Sequence, residues 1–271
     1  MMTLDIAIIT YKPDGIKRLA ANTLPQIPGV KYVISWQAHE SAPIPEELQR
    51  PDIKIYRFDG IGLSRNRNNS IKYCTSDIII LADDDIFFFT DGINKLREVY
   101  ENELDTDLIT FQSLRHGDTI YPENACKLKA KLPANYNIAS IELSFRRATA
   151  GWLRACPELG LNSPRFHGGE DEMLLHTAIK RGLNCWFYPI TVCKHEHPST
   201  GSKAHLTKGN LLANGCVIAL TYPKTVLLRI PIKAWRLHKS KQANFFRALL
   251  YLIQGAAGAL GVLKRNKEYL Y

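Results

Sequence analysis

Between Glu196 and Glu268 the chain has neither Asp nor Glu. That interval holds twelve lysines and arginines, from Lys203 to Lys267, and so accounts for the formal net charge of +9. Residues 1–196 carry 23 basic against 25 acidic side chains. A nucleic-acid enzyme has basic residues around its cleft. Here the body is near neutral, so no nucleic acid is expected as a partner. The six cysteines form no C-x-x-C pair, which argues against a zinc site or a dense disulfide framework. Reduced thiols in a cytosolic protein are the expected state. Internal repeats and low-complexity tracts are also lacking. The start, Met1-Met2-Thr3-Leu4-Asp5, has no basic n-region and no apolar h-region, and is expected to lead into a strand. Ala248–Leu263 is free of charge for sixteen residues. It is expected to fall short of the ~20 residues that span a bilayer.

What remains is an ordinary globular composition, 45% hydrophobic and 23% charged over 271 residues. The length allows one large domain, or a domain with an appendage. Apolar runs predict strands at Leu4–Thr10, Val30–Trp36, Ile53–Phe58, Ile78–Ala82 and Leu108–Gln112. Two further strands are expected at Ile138–Phe145 and Trp186–Val192, the latter irregular because Pro189 lies inside it. Helices are predicted from Asp14 to Leu24, Ser64 to Cys74, Gly92 to Asn102 and Asp171 to Arg181. Strands alternating with helices predict an α/β fold with a mainly parallel sheet flanked by helices. The expected organisation is a domain over 1–207, with a pocket region at 113–170, and a basic, amphipathic helical extension over 208–271.

Four segments carry candidate chemistry. The first is Asp83-Asp84-Asp85, directly after the buried run Ile78–Ala82. Carboxylates at the C-terminal tip of a parallel strand lie where open α/β sheets bind ligands. Their oxygens suit a hard divalent cation shared with phosphates; the plainer alternative is a solvated acidic turn. The second, Gly62–Ile71, opens a helix after a glycine turn, and its free N–H groups favour an anion. Arg65 and Arg67 add guanidinium groups that match phosphate, unless they simply face water. The third, His167-Gly168-Gly169-Glu170-Asp171-Glu172, places acidic residues at a helix start. Either they complement the helix dipole or one serves as a general base. In the fourth, Lys194-His195-Glu196-His197-Pro198, one imidazole is a candidate metal ligand.

In this order the four segments resemble the inverting glycosyltransferases of family two, which have the GT-A fold, a Rossmann-like sheet. The resemblance covers about residues 3–200. Ile9-Thr10-Tyr11-Lys12 is similar to the family's opening motif. Gly62–Ile71 is similar to its G-L-S-x-A-R-N-x-G start, with Arg67 and Asn68 matching and Asn66 and Ser70 departing. Asp83-Asp84-Asp85 looks like its D-x-D, and Glu170-Asp171 like its E-D pair. The resemblance implies a nucleotide-diphosphate sugar donor held by Thr10, Tyr11, Gln37, Arg65, Asp83 and Asp84. It implies Mn²⁺ or Mg²⁺ on Asp85 and on His195 or His197, and Asp171 as the base, with Glu170 beside it. The stretch Ile34–Glu40 lacks the acidic pair that often follows the second strand in this family. That departure leaves the nucleobase open: the resemblance implies uridine first, with thymidine and guanosine as alternatives.

Arg146, Trp152, Phe166 and His167 are candidate walls of the acceptor pocket. The acceptor implied is a glycan, lipid-linked in bacterial polysaccharide synthesis. Basic charge beside apolar runs suits an anionic membrane surface, so a cytoplasmic protein, peripheral on the inner face of the membrane, is expected. Competing classes are a sugar-1-phosphate nucleotidyltransferase, a metal-dependent phosphohydrolase and a non-catalytic sugar-nucleotide binder. The first would want a Gly-rich basic loop after the first strand, where Thr10–Gly15 supplies a single glycine.

Overall fold

The computed structural model describes residues 1–115, 121–133, 136, 138–195 and 206–270. They form two compact units. The first comprises 1–61, 65–154 and 178–197; the second comprises 62–64, 155–177 and 198–271.

The first unit is built on a nine-stranded sheet. Its strands are β1 (Leu4–Tyr11), β2 (Val30–Gln37), β3 (Ile53–Phe58), β4 (Ile78–Asp83), β5 (Ile86–Phe88), β6 (Leu108–Arg115), β7 (Cys126–Lys127), β8 (Leu143–Arg146) and β9 (Cys185–His195). The order is β3-β2-β1-β4-β8-β6-β9-β5, with β7 paired to β9. From β3 to β4 every pair is parallel. β8 then runs antiparallel to both neighbours, while β6 and β9 are again parallel. The register between β6 and β9 slips around Pro189, as a missing ladder N–H dictates.

Alternation builds the core. Leu4, Ile6 and Ile8, Tyr32, Ile34 and Trp36, and Ile78, Ile80 and Ala82 share one buried cluster. Ile16 and Leu19 of α1 (Lys12–Ala21) and Ile93, Leu96 and Tyr100 of α3 (Thr90–Asn102) pack against them. Asp5 is fully buried, and the backbone N–H groups of Thr75 and Ser76 and the Ser76 hydroxyl donate to its carboxylate at 2.6–2.8 Å. That carboxylate fixes the turn entering β4.

Two local expectations change. Within the stretch expected as a strand over Ile138–Phe145, Ser140–Glu142 forms a 3-10 turn, and only Leu143 onward is strand. Glu142 is buried there, accepting from the Ser113 hydroxyl at 2.6 Å. The short strand β5 was not anticipated, because its partner β9 lies about a hundred residues later in the chain.

The second unit is helical. It holds the start of α5 (Glu170–Lys180), then α6 (Lys208–Thr221), α7 (Val226–Lys239) and α8 (Phe245–Arg265). The helices expected as an extension from 208 thus cluster with 155–177. Thr207 caps α6 through Asn210, and Asn244 caps α8. α6 and α8 pack backbone to backbone at two glycines. A Cβ on Gly215 would lie 2.1 Å from the Leu252 carbonyl oxygen, and one on Gly255 2.1 Å from that of Leu212.

α8 has 21 residues, more than the uncharged run inside it. Among the described residues it is the one helix long and apolar enough to cross a membrane. This corrects the expectation of a segment too short to span: flanking residues lengthen the helix to about 31 Å at 1.5 Å per residue.

Candidate active site

The C-terminal tips of β1, β2 and β4 form one edge. Register places Tyr11 opposite Gln37 and Ile9 opposite Asp83. The backbone is unusual there: Lys12, Ala38, Glu40 and Ser41 all have positive φ. Such conformations persist where surrounding contacts fix them, and the Trp36 indole N–H donates to the Lys12 carbonyl at 3.0 Å. Tyr11 is half exposed at this edge. Gln37 is buried, and its Nε2 has no hydrogen-bond partner among the described residues. An amide donor left this way costs free energy unless a ligand meets it.

The three aspartates have different surroundings. Asp83 accepts from the buried Arg67 guanidinium at 3.0 Å, and Arg67 also reaches the Ser140 hydroxyl at 2.8 Å. Asp84 turns inward: the Thr10 hydroxyl donates to one carboxylate oxygen at 2.6 Å, and Arg18 donates to the other from Nε and Nη2 at 3.1 and 2.5 Å. Asn22 donates to the Asp84 carbonyl at 3.1 Å. Burial raises the Asp84 pKa above the ordinary aspartate value, opposed by Thr10 and Arg18. Its carboxylate therefore holds β4 against β1 and α1.

Asp85 faces His195, with Oδ2 3.2 Å from Nε2. The pairing of β5 with β9 causes this, since Ile86 lies opposite His195. Burial acts to raise the Asp85 pKa, but the hydrogen bond and charge of His195, with the charge of Arg18, outweigh it and hold it below the usual aspartate value. Its other oxygen, Oδ1, is buried without a partner among the described residues. His197 lies outside the described residues.

Arg65 is exposed near the start of α2 (Leu63–Lys72). The residue after it, Asn66, donates to the Thr10 carbonyl at 3.1 Å, and Asn69 donates to the Ser35 hydroxyl at 2.8 Å. The side chain that departs from the family motif at 66 thus ties this helix to the tip of β1. Arg146 is elsewhere. Arg146 pairs with Ile78 at the opposite end of β4, and its guanidinium donates to the carbonyls of Tyr100 and Thr106. Trp152 stacks under Arg181, 4.5 Å from ring centroid to guanidinium carbon. Arg146 is a correction, since register carries it away from the carboxylate edge; Trp152 is a partly exposed ring in the turn after the short helix α4 (Arg147–Ala150).

In the second unit, Gly168 and Gly169 take positive φ and turn the chain into α5. A Cβ on Gly169 would lie 2.4 Å from Val217, so only glycine fits. Glu170 is buried against Gly160 and Ser64, and Asp171 is partly exposed one residue later. Phe166 corrects another expectation. It is a core side chain, 1% exposed, packed with Leu159, Met173 and Leu212. His167 lines a cavity instead.

The glycosyl transferase family 2 model matches residues 37–155. The match takes in the start of α2, β4 and all three aspartates. Over these residues the chain is similar to glycosyl transferase family 2. Its fold is that of S. aureus TarS 1–349 solved with UDP, at a TM-score of 0.60 and 11% identity, over 96% of this chain and 92% of that one. The same TarS segment solved with UDP-GlcNAc gives 0.59 and 11%, over 100% and 93%. Against a longer TarS structure the values are 0.57 and 12%, over 90% of this chain and 44% of that one. No curated protein matches the sequence.

Within this edge, sequence reasoning missed what Arg67, Arg18 and Asn66 do. Arg67 neither lies open to a phosphate nor faces water: it is 1% exposed and braces Asp83. Its place in a helix rich in polar residues gives no signal of which face is buried. Among the described residues no group of three His, Cys, Asp or Glu side chains converges. The pair Asp85 and His195, with an orphaned carboxylate oxygen, fits a cation whose remaining ligands are phosphate oxygens and water, as Mg²⁺ sites often are.

Proposed function

We propose that the enzyme transfers a sugar, with inversion, from a nucleotide-diphosphate donor to a hydroxyl of a lipid-linked glycan in bacterial polysaccharide synthesis. The observation that carries this reading is the Asp85 carboxylate: one oxygen beside His195, the other buried and unpartnered, at the ligand-binding edge of a parallel sheet. The TarS structures with UDP and UDP-GlcNAc support a uridine donor, with thymidine and guanosine as alternatives.

Asp85 and His195 would hold Mn²⁺ or Mg²⁺, which offsets the charge of the departing diphosphate. Tyr11 and the unpartnered Gln37 amide face the nucleobase, and Asp83, braced by Arg67, faces the ribose. Arg65 assists at the diphosphate. Asp171 takes the proton of the attacking hydroxyl; Glu170, being buried, supports the helix start. One base suffices for a single displacement, unlike the two carboxylates of a retaining glycosidase.

A membrane role follows from the second unit. On α7, Ile230, Ala234 and Leu237 are buried, while Leu228, Ile232 and Trp235 are exposed on the opposite face. On α8, Phe246, Leu250, Ile253 and Leu260 are exposed along one stripe. Arg236, Lys239 and Lys264 flank these apolar side chains. With no acidic residue between 197 and 267, a second copy of the segment would meet like charge. An anionic lipid surface on the cytoplasmic side supplies the complement.

The test is nucleoside-diphosphate release from UDP-, dTDP- and GDP-sugars, with Mn²⁺ and a membrane extract as acceptor. Release from one nucleotide's donors, dependent on extract, is expected. Phosphate release without transfer would favour a phosphohydrolase.

A further inference from the structure

We infer that the second unit binds the phosphate groups of the lipid-linked acceptor in a cationic pocket; this rests on the acceptor class proposed above. The pocket is a cavity of about 390 Å³ whose lining includes Arg165, His167, Lys208, Gly209, Leu212 and Gln254. No carboxylate lines it among the described residues. Three basic side chains therefore converge on one cavity from two segments some forty residues apart.

Each is held by the fold. Arg165 stands over the Phe166 ring at 5.0 Å and donates to the Gln254 carbonyl at 3.4 Å. Lys208 lies 5.4 Å from the centre of the Tyr251 ring. Neither has an ion-pair partner among the described residues. Glu158, an acid in the same unit, is already engaged by Arg265 at 2.7 and 2.8 Å and by Asn266 at 2.7 Å. His167 is clamped by its backbone: its N–H donates to the Gly209 carbonyl at 3.1 Å, and its carbonyl accepts from Asn210 at 2.5 Å. A Cβ at Gly209 would lie 2.4 Å from the His167 ring, so glycine is what lets the ring sit there. Lys208 and Gly209 also open α6, whose first turn has no acidic residue.

Position selects the ligand. Gln254 follows Ile253 on α8, so the cavity borders the exposed stripe of Leu250 and Ile253. A cationic cavity beside an apolar helix face matches a phosphate or diphosphate on a long hydrocarbon chain. His167 is four residues before Asp171 in the same unit, which links the pocket to the proposed base through one short turn.

The experiment is equilibrium binding of farnesyl diphosphate and inorganic pyrophosphate to the full chain in EDTA, which silences a metal-dependent donor site. The wild type should bind the prenyl diphosphate at least tenfold more tightly than pyrophosphate. Arg165→Ala with Lys208→Ala should weaken prenyl diphosphate at least tenfold, leaving UDP binding with Mn²⁺ unchanged. Lys208→Gln alone, at an exposed side chain, should weaken it several-fold. Equal affinity for the two probes would overturn the lipid assignment and leave a site for free phosphate. Unaltered binding in both variants would overturn the pocket. Prenyl diphosphate bound without any nucleotide binding in Mn²⁺ would sink the transferase reading and spare the pocket.

Discussion

In the first unit buried charge is matched side chain by side chain. Asp5 has Thr75 and Ser76, Asp84 has Thr10 and Arg18, and Arg67 has Asp83 and Ser140. In the second unit Lys208, Arg236 and Lys239 have no ion pair among the described residues, and large apolar side chains of the same helices stand exposed. Against so satisfied a background, the loose ends of the first unit are informative: among the described residues the Asp85 oxygen, the Gln37 amide and the Asn66 side-chain oxygen are buried without partners. In the second unit the loose ends are whole faces of helices. The difference separates a site for a small ligand, defined atom by atom, from a surface defined by charge and apolar area.

The largest expected effect falls on turnover. Asp171→Asn should lower kcat roughly 100- to 10,000-fold, the usual worth of a general base, while UDP affinity in Mn²⁺ stays unchanged. Near-normal turnover would remove Asp171 from that role. Next comes a test of the surface. Leu228→Glu with Trp235→Glu should weaken binding to anionic vesicles by about tenfold or more, since each apolar side chain withdrawn from lipid forfeits roughly 1.5 kcal/mol or more. Flotation equal to wild type would detach these helices from the membrane.

A smaller effect separates neighbours within one acidic run. Asp84→Ala should cost about 2 kcal/mol, reduced from a fully buried ion pair because Arg18 is half exposed. Asp85→Ala should cost about 1 kcal/mol or less, as one oxygen has no partner to lose. Thermal melts would show a drop of several degrees for the first alone; equal drops would erase the distinction.

The smallest effect is acid sensitivity. Asp52 beside Arg50, Asp77 beneath the Thr3 N–H and hydroxyl, and Glu158 beside Arg265 all titrate below their ordinary values. Each contributes stability that is complete above its unfolded pKa, 3.8 for Asp and 4.5 for Glu, and is lost as pH falls through the folded value. Below about pH 5 these three groups should therefore lower the melting temperature, while the raised pKa of buried Asp84 acts the other way. A rise on acidification in Asp84→Ala would contradict these assignments.

The sequence made the parallel half of the sheet legible because each strand carries its own apolar run between turn signals, as at Ile53–Phe58. It also marked the acidic run after β4 as the place for chemistry. It did not distinguish the three aspartates, because orientation depends on partners far along the chain: Thr10 and Arg18 for Asp84, and His195 for Asp85. β5 was hidden for the same reason. Arg146 and Phe166 look like pocket residues by type, but register sends one to the far end of β4 and packing sends the other into a core. The cavity at Arg165 and Lys208 was invisible, since neither residue stands in a motif.

The central claim is that Asp85, alone among the three aspartates, links nucleotide to metal. Calorimetric titration of UDP into wild type, Asp84→Ala and Asp85→Ala, each with and without Mn²⁺, tests it directly. The account predicts tight binding only with Mn²⁺ in the wild type, the same dependence in folded Asp84→Ala, and no Mn²⁺ enhancement in Asp85→Ala. Mn²⁺-dependent UDP binding that survives in Asp85→Ala would contradict it.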